Sequence, residues 1–350
     1  MHAASHRPGI DLALQGGGSH GAFTWGVLDA LLEDGRLAID GISGTSAGAM
    51  NAAVLATGWA RDGADGARAA LAAFWHAVGG VAGCWGPSPL VLPAWFYNRS
   101  QWPGLAMADA LTKLLSPAQL NPFKLDPLRE LVSAHVDAQA MREGPIKLFV
   151  AATSVRTGQP RIFDAKDLSI DALLASACLP QSALTVVIDG EPYWDGGYSG
   201  NPAIWPLVYG TEGSDVLLVQ INPREHEGIP QTAAEISDRV NEITFNASLV
   251  AEMRAIAFVQ KLLRDKRVDP SHYKALRLHR IADEAGLAPF GASSKLNTDP
   301  SLLQALFELG RTAAAQWLES ELSAVGRHSS IDVEEVYLGR RAAPPQEPST

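Results

Sequence analysis

The chain is poor in cysteine and modest in charge, and it has no long apolar run. Only two of its 350 residues are cysteine, Cys84 and Cys178, too few for a disulfide framework and too far apart for a zinc cluster. Acidic side chains outnumber basic ones, 38 to 28, for a formal net charge of -10. That balance argues against a nucleic-acid partner and against attachment to anionic lipid by charge alone. The opening MHAASHRPG lacks the apolar core of a signal peptide, and no run of 18 apolar residues follows. A soluble cytoplasmic protein is therefore expected, with a secretion route that needs no such peptide left open. The carboxylates are dispersed rather than set out as a calcium loop, so neither a metal nor a cofactor is expected.

What is present is material for a core. Hydrophobic residues make up 47% of the chain, and its length fits one large domain or two small ones. Residues 10–58 read as strand, glycine loop, helix, strand, sharp turn and helix, an α/β opening. Further helices are expected over 67–78, 106–116, 126–141 and 169–179, with buried strands at 146–155 and 215–222. LTVVIDGEPYWDGG reads as two strands joined at Asp189-Gly190, a common hairpin pair. Residues 232–267 carry Ile236, Val240, Ile243, Leu249, Met253, Ile256 and Leu263 at helical spacing, which suggests a core helix more than a partner interface. A late strand at 273–281 and a closing helix from Pro300 complete the pattern.

Residues 16–21, GGGSHG, match the dinucleotide fingerprint G-x-G-x-x-G. That fingerprint needs an acidic residue at the C-terminal end of the second strand to hold ribose hydroxyls. Asp40 stands at the beginning of that strand instead. The correct end carries Gly44-Thr45-Ser46-Ala47-Gly48, a G-x-S-x-G between strand and helix, which is the context of a nucleophile elbow. With a serine nucleophile, the first loop acquires another task. The amides of Gly16, Gly17 and Gly18 can converge on the oxyanion of acyl transfer, with Gly21 closing the block. Either motif alone also reads as a plain turn; together, in this order and context, they point to chemistry.

A serine needs a base. His226, His272, His279 and His328 come late enough for a Ser–Asp–His order, but none has a distinctive context, and His20 belongs to the glycine loop. The better candidate is Asp195 in YWDGGYSGN, where Gly196 and Gly197 free the backbone to carry the carboxylate to another segment; its plain alternative is a turn.

GGGSHG, GTSAG and DGG, in that order, resemble the three signature blocks of the patatin-like phospholipases. ASACLPQ, DRVNEITFNASLVAEMRAI and SSKLNTD resemble further segments of a bacterial branch. The resemblance implies a three-layer α/β/α fold with a mainly parallel sheet, spanning residues 8–325. A core of about 10–210 would be followed by a helical extension of about 230–325. The proline-rich, polar end RRAAPPQEPST points instead to a disordered tail over 326–350. It also implies a Ser–Asp dyad without histidine: Ser46 as nucleophile, Asp195 as general base, Gly16–Gly18 as oxyanion loop. One departure stands out: the family's glycine block commonly has Lys or Arg in its fifth position, and here it is His20.

The implied activity is a phospholipase A or lysophospholipase type of acyl hydrolysis. The alternatives are a carboxylesterase or thioesterase on small acyl substrates, and a catalytically weak lipid- or protein-binding member. Trp75, Trp85, Trp95 and Trp102 fall close together, with Phe74, Phe96 and Tyr97 beside them. In and around residues 79–104 they read equally as an acyl funnel or peripheral membrane contact, and as core beneath a long loop. Nothing in the sequence sets the oligomeric state.

Overall fold

A computed structural model of the chain describes residues 7–81, 117, 121, 125–226 and 228–339. Among these residues the centre is an eight-stranded sheet. Its strands are β1 (Gly9–Leu14), β2 (Ala38–Thr45), β3 (Lys147–Ser154), β4 (Pro160–Phe163), β5 (Val186–Ile188), β6 (Glu191–Asp195), β7 (Asp215–Val219) and β8 (Arg277–Ile281). Strands β3, β2, β1, β7 and β8 run parallel in that order. β4 and β6 pair antiparallel with β3, and β5 with β6. The expected mainly parallel α/β sheet is therefore present, with an antiparallel margin at one end.

The helices are α1 (Gly21–Asp34), α2 (Ala47–Gly80), α3 (Pro127–His135), α4 (Ala138–Glu143), α5 (Ile170–Ser176), α6 (Trp205–Gly210), α7 (Ala233–Arg264), α8 (Glu284–Leu287), α9 (Pro300–Ser320) and α10 (Val333–Leu338). Non-helical backbone at Asp62 and Gly63 divides α2 in two. The single helix expected over 126–141 is also two, because Asp137 caps a new start by accepting from the amides of Gln139 and Ala140. No helix among the described residues is long and apolar enough to cross a membrane.

Helices cover both faces of the sheet. Ile10, Leu12 and Leu14 of β1 belong to one core with α1, α2 and α9, whereas Ala13 belongs to a second with α7 and α10. A central parallel strand buried on both sides reads as the near-continuous apolar run seen in IDLAL. Phe74 and Trp75 are in the first core, where the Trp75 indole donates to Asn51 Oδ1 at 2.9 Å. Trp85, Trp95, Trp102, Phe96, Tyr97 and the helix expected over 106–116 lie outside the described residues.

Three expectations need correction. The boundary near residue 210 is not a structural one: β7 pairs with β1 and β8 with β7, so the sheet runs on through the supposed extension. Helix α7 is a core helix only towards its C-terminal half, where Leu249 and Met253 are buried. Ile236, Val240 and Ile243 are exposed, because the inward face of that first part carries Glu242, Phe245 and Asn246 instead. Finally, residues 326–339 are not a loose tail. Val333 and Tyr337 are buried against the second core, and the Tyr337 hydroxyl donates to Gln220 Oε1 at 2.8 Å; residues 340–350 lie outside the described residues.

Tyr337→Ala is thus expected to cost roughly 3 kcal/mol, as truncations of buried aromatic side chains do. The urea midpoint should fall at unchanged m-value; a disordered tail would leave it unmoved.

Candidate active site

Ser46 stands between β2 and α2, capping the helix at φ 54° and ψ -122°. Such a conformation costs a non-glycine residue of order 1–3 kcal/mol and persists only where the surroundings enforce it. They do so here from two sides. The Ser46 amide donates to Ser176 Oγ at 2.8 Å, and that hydroxyl donates to Ala151 O at 2.6 Å. Two residues on, the helix passes so close to β1 that a Cβ at Gly48 would come within 2.3 Å of Leu14 O. The side chain is left at the head of a helix, where the dipole favours negative charge.

The register of β3 brings Asp195 to the same place. β4 pairs with Val150–Thr153 along one edge of β3. The other edge is shared end to end: β2 occupies it up to Ala151, opposite Thr45, and β6 takes over at Ala152, opposite Asp195. The last residue of β6 therefore follows directly on the last residue of β2. Asp195 is fully buried, and Ser46 is only 6% exposed. Asp195 Oδ1 accepts the Gly197 amide at 2.7 Å. Oδ2 has no hydrogen-bond partner of standard length among the described residues, and the Ser46 hydroxyl lies near enough to favour the ionised form. Burial outweighs these contacts and raises the carboxyl pKa to about 7.

The glycine loop closes the third side. A Cβ on Gly16 would meet Ser46 Cβ at 2.7 Å, so the loop lies against Ser46. Gly18 has φ 56°, and a Cβ there would fall 2.2 Å from Lys295 O. The sequence predicts Gly16 as one of three amide donors, but its N–H is engaged by Asn201 Oδ1 at 2.7 Å. The amides of Gly17 and Gly18 have no acceptor among the described residues. Gln15 underpins the loop by accepting the amides of Ile221 and Asn222 at 3.0 and 2.9 Å.

A strained serine, a buried carboxylate and free loop amides thus meet at the C-terminal ends of parallel strands, where open α/β sheets place their sites. Residues 12–208 match the family model described as Patatin-like phospholipase, more than half of the chain. The chain belongs to this family. Among solved structures it is similar to VipD from Legionella pneumophila, at 15% identity and TM-score 0.44, over 90% of this chain and 67% of that one. It is also similar to a chain of the complex of full-length SpcU with full-length ExoU, from the type III secretion system of Pseudomonas aeruginosa. There the identity is 14% and the TM-score 0.30, over 89% of this chain and about half, 53%, of that one. No curated protein matches.

Within this patatin-like domain the late histidines are placed elsewhere. His279 is buried against Asp215, with Nε2 3.0 Å from Oδ1. His226 lies by Glu242 and His272 by Asp269, and His328 is exposed. His20 is buried in the loop, its Nε2 2.7 Å from Ser294 Oγ. Four contributors carried no individual signal in sequence: Ser176, Asn201, Asn222 and Lys295. Ser176 and Lys295 do fall within ASACLPQ and SSKLNTD, but nothing in those strings assigns either side chain a task.

Ser176→Ala removes the link between the elbow amide and Ala151 O. Leaving a buried amide without its acceptor costs about 1–3 kcal/mol, to be read as a lowered urea midpoint. Loss of ester hydrolysis should accompany it as the elbow relaxes.

Proposed function

We propose that this chain hydrolyses carboxylic esters of lipids through a Ser46–Asp195 dyad and an acyl-enzyme. The observation that carries the reading is the shared edge of β3, which sets a fully buried carboxylate beside a serine held at positive φ. Asp195 takes the Ser46 proton, and the alkoxide attacks the acyl carbonyl carbon. The oxyanion forms against the amides of Gly17 and Gly18, where each donor contributes about 3 kcal/mol in comparable sites. Collapse expels the alcohol, which leaves with the proton from Asp195. Water then attacks the acyl-enzyme and gives its proton to Asp195. The second collapse frees the fatty acid and returns that proton to Ser46.

The raised pKa suits this task, since a carboxyl near 7 is a far better base than one near 4. Its ionised form is the active one, so kcat/KM should rise with pH through about 7, falling about tenfold per unit on the acidic side. The sign for stability is the opposite. The folded carboxyl holds its proton more tightly than the unfolded one, so the fold loses stability as pH climbs from about 4 to about 7.

Ser46→Ala and Asp195→Asn are each expected to abolish turnover of phospholipid vesicles and of short-chain nitrophenyl esters while the fold is retained. Asp195→Asn should also remove that carboxyl's share of the stability loss between pH 4 and 7. Full activity in either variant sinks the dyad. Turnover of nitrophenyl esters alone, with vesicles untouched, would replace the lipid substrate by small acyl esters.

A further inference from the structure

His20, in the fifth position of the glycine block, does not supply a charge. Burial, and then the nearby Lys295, hold its pKa down to about 3. The charge in this corner comes from Lys295 itself, which lies well beyond the segment matched by the family model. It belongs to a short turn, Ala292–Leu296, that closes over the glycine loop. The Lys295 carbonyl fills the space beside Gly18, and Ser294 holds His20. The Lys295 ammonium donates to Asn222 Oδ1 at 2.7 Å and Asn241 Oδ1 at 3.3 Å. Asn222 Nδ2 in turn donates to Gly16 O at 2.8 Å. On its other side the ammonium is 5.8 Å from the centroid of the Phe245 ring. That ring packs against Gly197, the residue whose amide binds Asp195. The cation is lodged between the loop that carries the free amides and the turn that carries the carboxylate.

We propose that Lys295 is a positioning residue for the hydrolysis, its charge favouring ionised Asp195 and its hydrogen bond to Asn222 fixing the glycine loop. The proposal rests on the Ser46–Asp195 reading above. The charged groups that act on Lys295 are Glu242 and Asp238 from α7 and Asp195 from β6; on the loop side it meets His20. Burial lowers the ammonium to about 8 against the pull of those carboxylates, so it is still charged at pH 7. Beside Asp195, Tyr198 and Cys178 are both pushed towards their neutral forms. Of the described ionisable side chains, Lys295 is the one whose charge opposes the desolvation of Asp195. Burial raises the Asp195 carboxyl to about 7, so even a modest opposing charge shifts how much of it is ionised at neutral pH.

The test compares wild type, Lys295→Arg and Lys295→Met by the pH dependence of kcat/KM for a nitrophenyl ester. It adds the rate at which a fluorophosphonate labels Ser46. Lys295→Met should move the acidic limb of both profiles up by about one unit or more, giving a roughly tenfold deficit at pH 6. Lys295→Arg should keep the limb at the wild-type position. The Met and wild-type profiles should converge towards pH 9, where Asp195 is ionised in both and the wild-type ammonium has lost its proton. If Lys295→Met is insoluble, Lys295→Gln, which keeps a donor for Asn222 without the charge, reads the same limb. A limb that stays put in the uncharged variants overturns the proposal, however much the rate falls, and leaves the dyad standing. Undiminished activity in Ser46→Ala overturns the dyad itself.

Discussion

Strand β3 can pair with β2 only as far as Ala151, because from Ala152 the same edge belongs to β6. Everything at the site depends on that succession. The end of β2 must turn away, and it does so at Ser46, into α2. The end of β6 must do likewise, and it does so at Asp195, into the Gly196–Tyr198 turn. Two residues about 150 positions apart in sequence become neighbours through backbone pairing that any side chain could join. The side chains then hold the ends in place: Thr45 Oγ1 donates to Gly200 O at 2.6 Å, and Thr153 Oγ1 to Asp195 O at 2.8 Å. Because the geometry is set by a ladder and not by a loop, the carboxylate can be buried without being free to move out to water.

This arrangement explains which parts of the molecule were legible in sequence. The strands of the sheet announce themselves as short apolar runs, and the glycine blocks as positions where backbones must approach closely. GGGSHG, GTSAG and DGG are local consequences of a global packing, so they can be read locally. What could not be read is the set of groups that acts across the sheet. Ser176 reaches the elbow amide from α5, and Asn201 engages the Gly16 amide from the segment after the DGG turn. Neither has a spacing rule, because its partner is chosen by register. The first part of α7 misleads for a related reason. Helical periodicity shows that a helix has an apolar stripe, not which stripe faces inward. There the inward face is partly polar and meets the segment that holds the glycine loop: Asn246 Oδ1 accepts from the Gln15 side-chain Nε2 at 3.2 Å.

The glycine loop shows the same logic at smaller scale. Three adjacent glycines look interchangeable in sequence, but each meets a different neighbour: Ser46 at Gly16, Ile221 at Gly17, Lys295 at Gly18. The first amide is committed to Asn201; the other two donate to no described residue.

Charge obeys a comparable division. A buried carboxylate with no compensation would stay protonated through neutral pH, and a buried ammonium with no compensation would lose its proton. Asp195 and Lys295 are displaced in those two directions, to about 7 and about 8, and each moderates the displacement of the other. A stronger pair, in direct contact, would tie up the carboxylate oxygens and leave a poor base. With the ammonium bound to Asn222 and Asn241 instead, its charge acts on Asp195 without occupying Oδ2. His20 fits this balance as a neutral residue, since a second fixed cation beside Lys295 would add repulsion within the same buried corner. The charge absent from the motif at His20 is thus present in the same corner, on a residue well after 208 that folds over the loop.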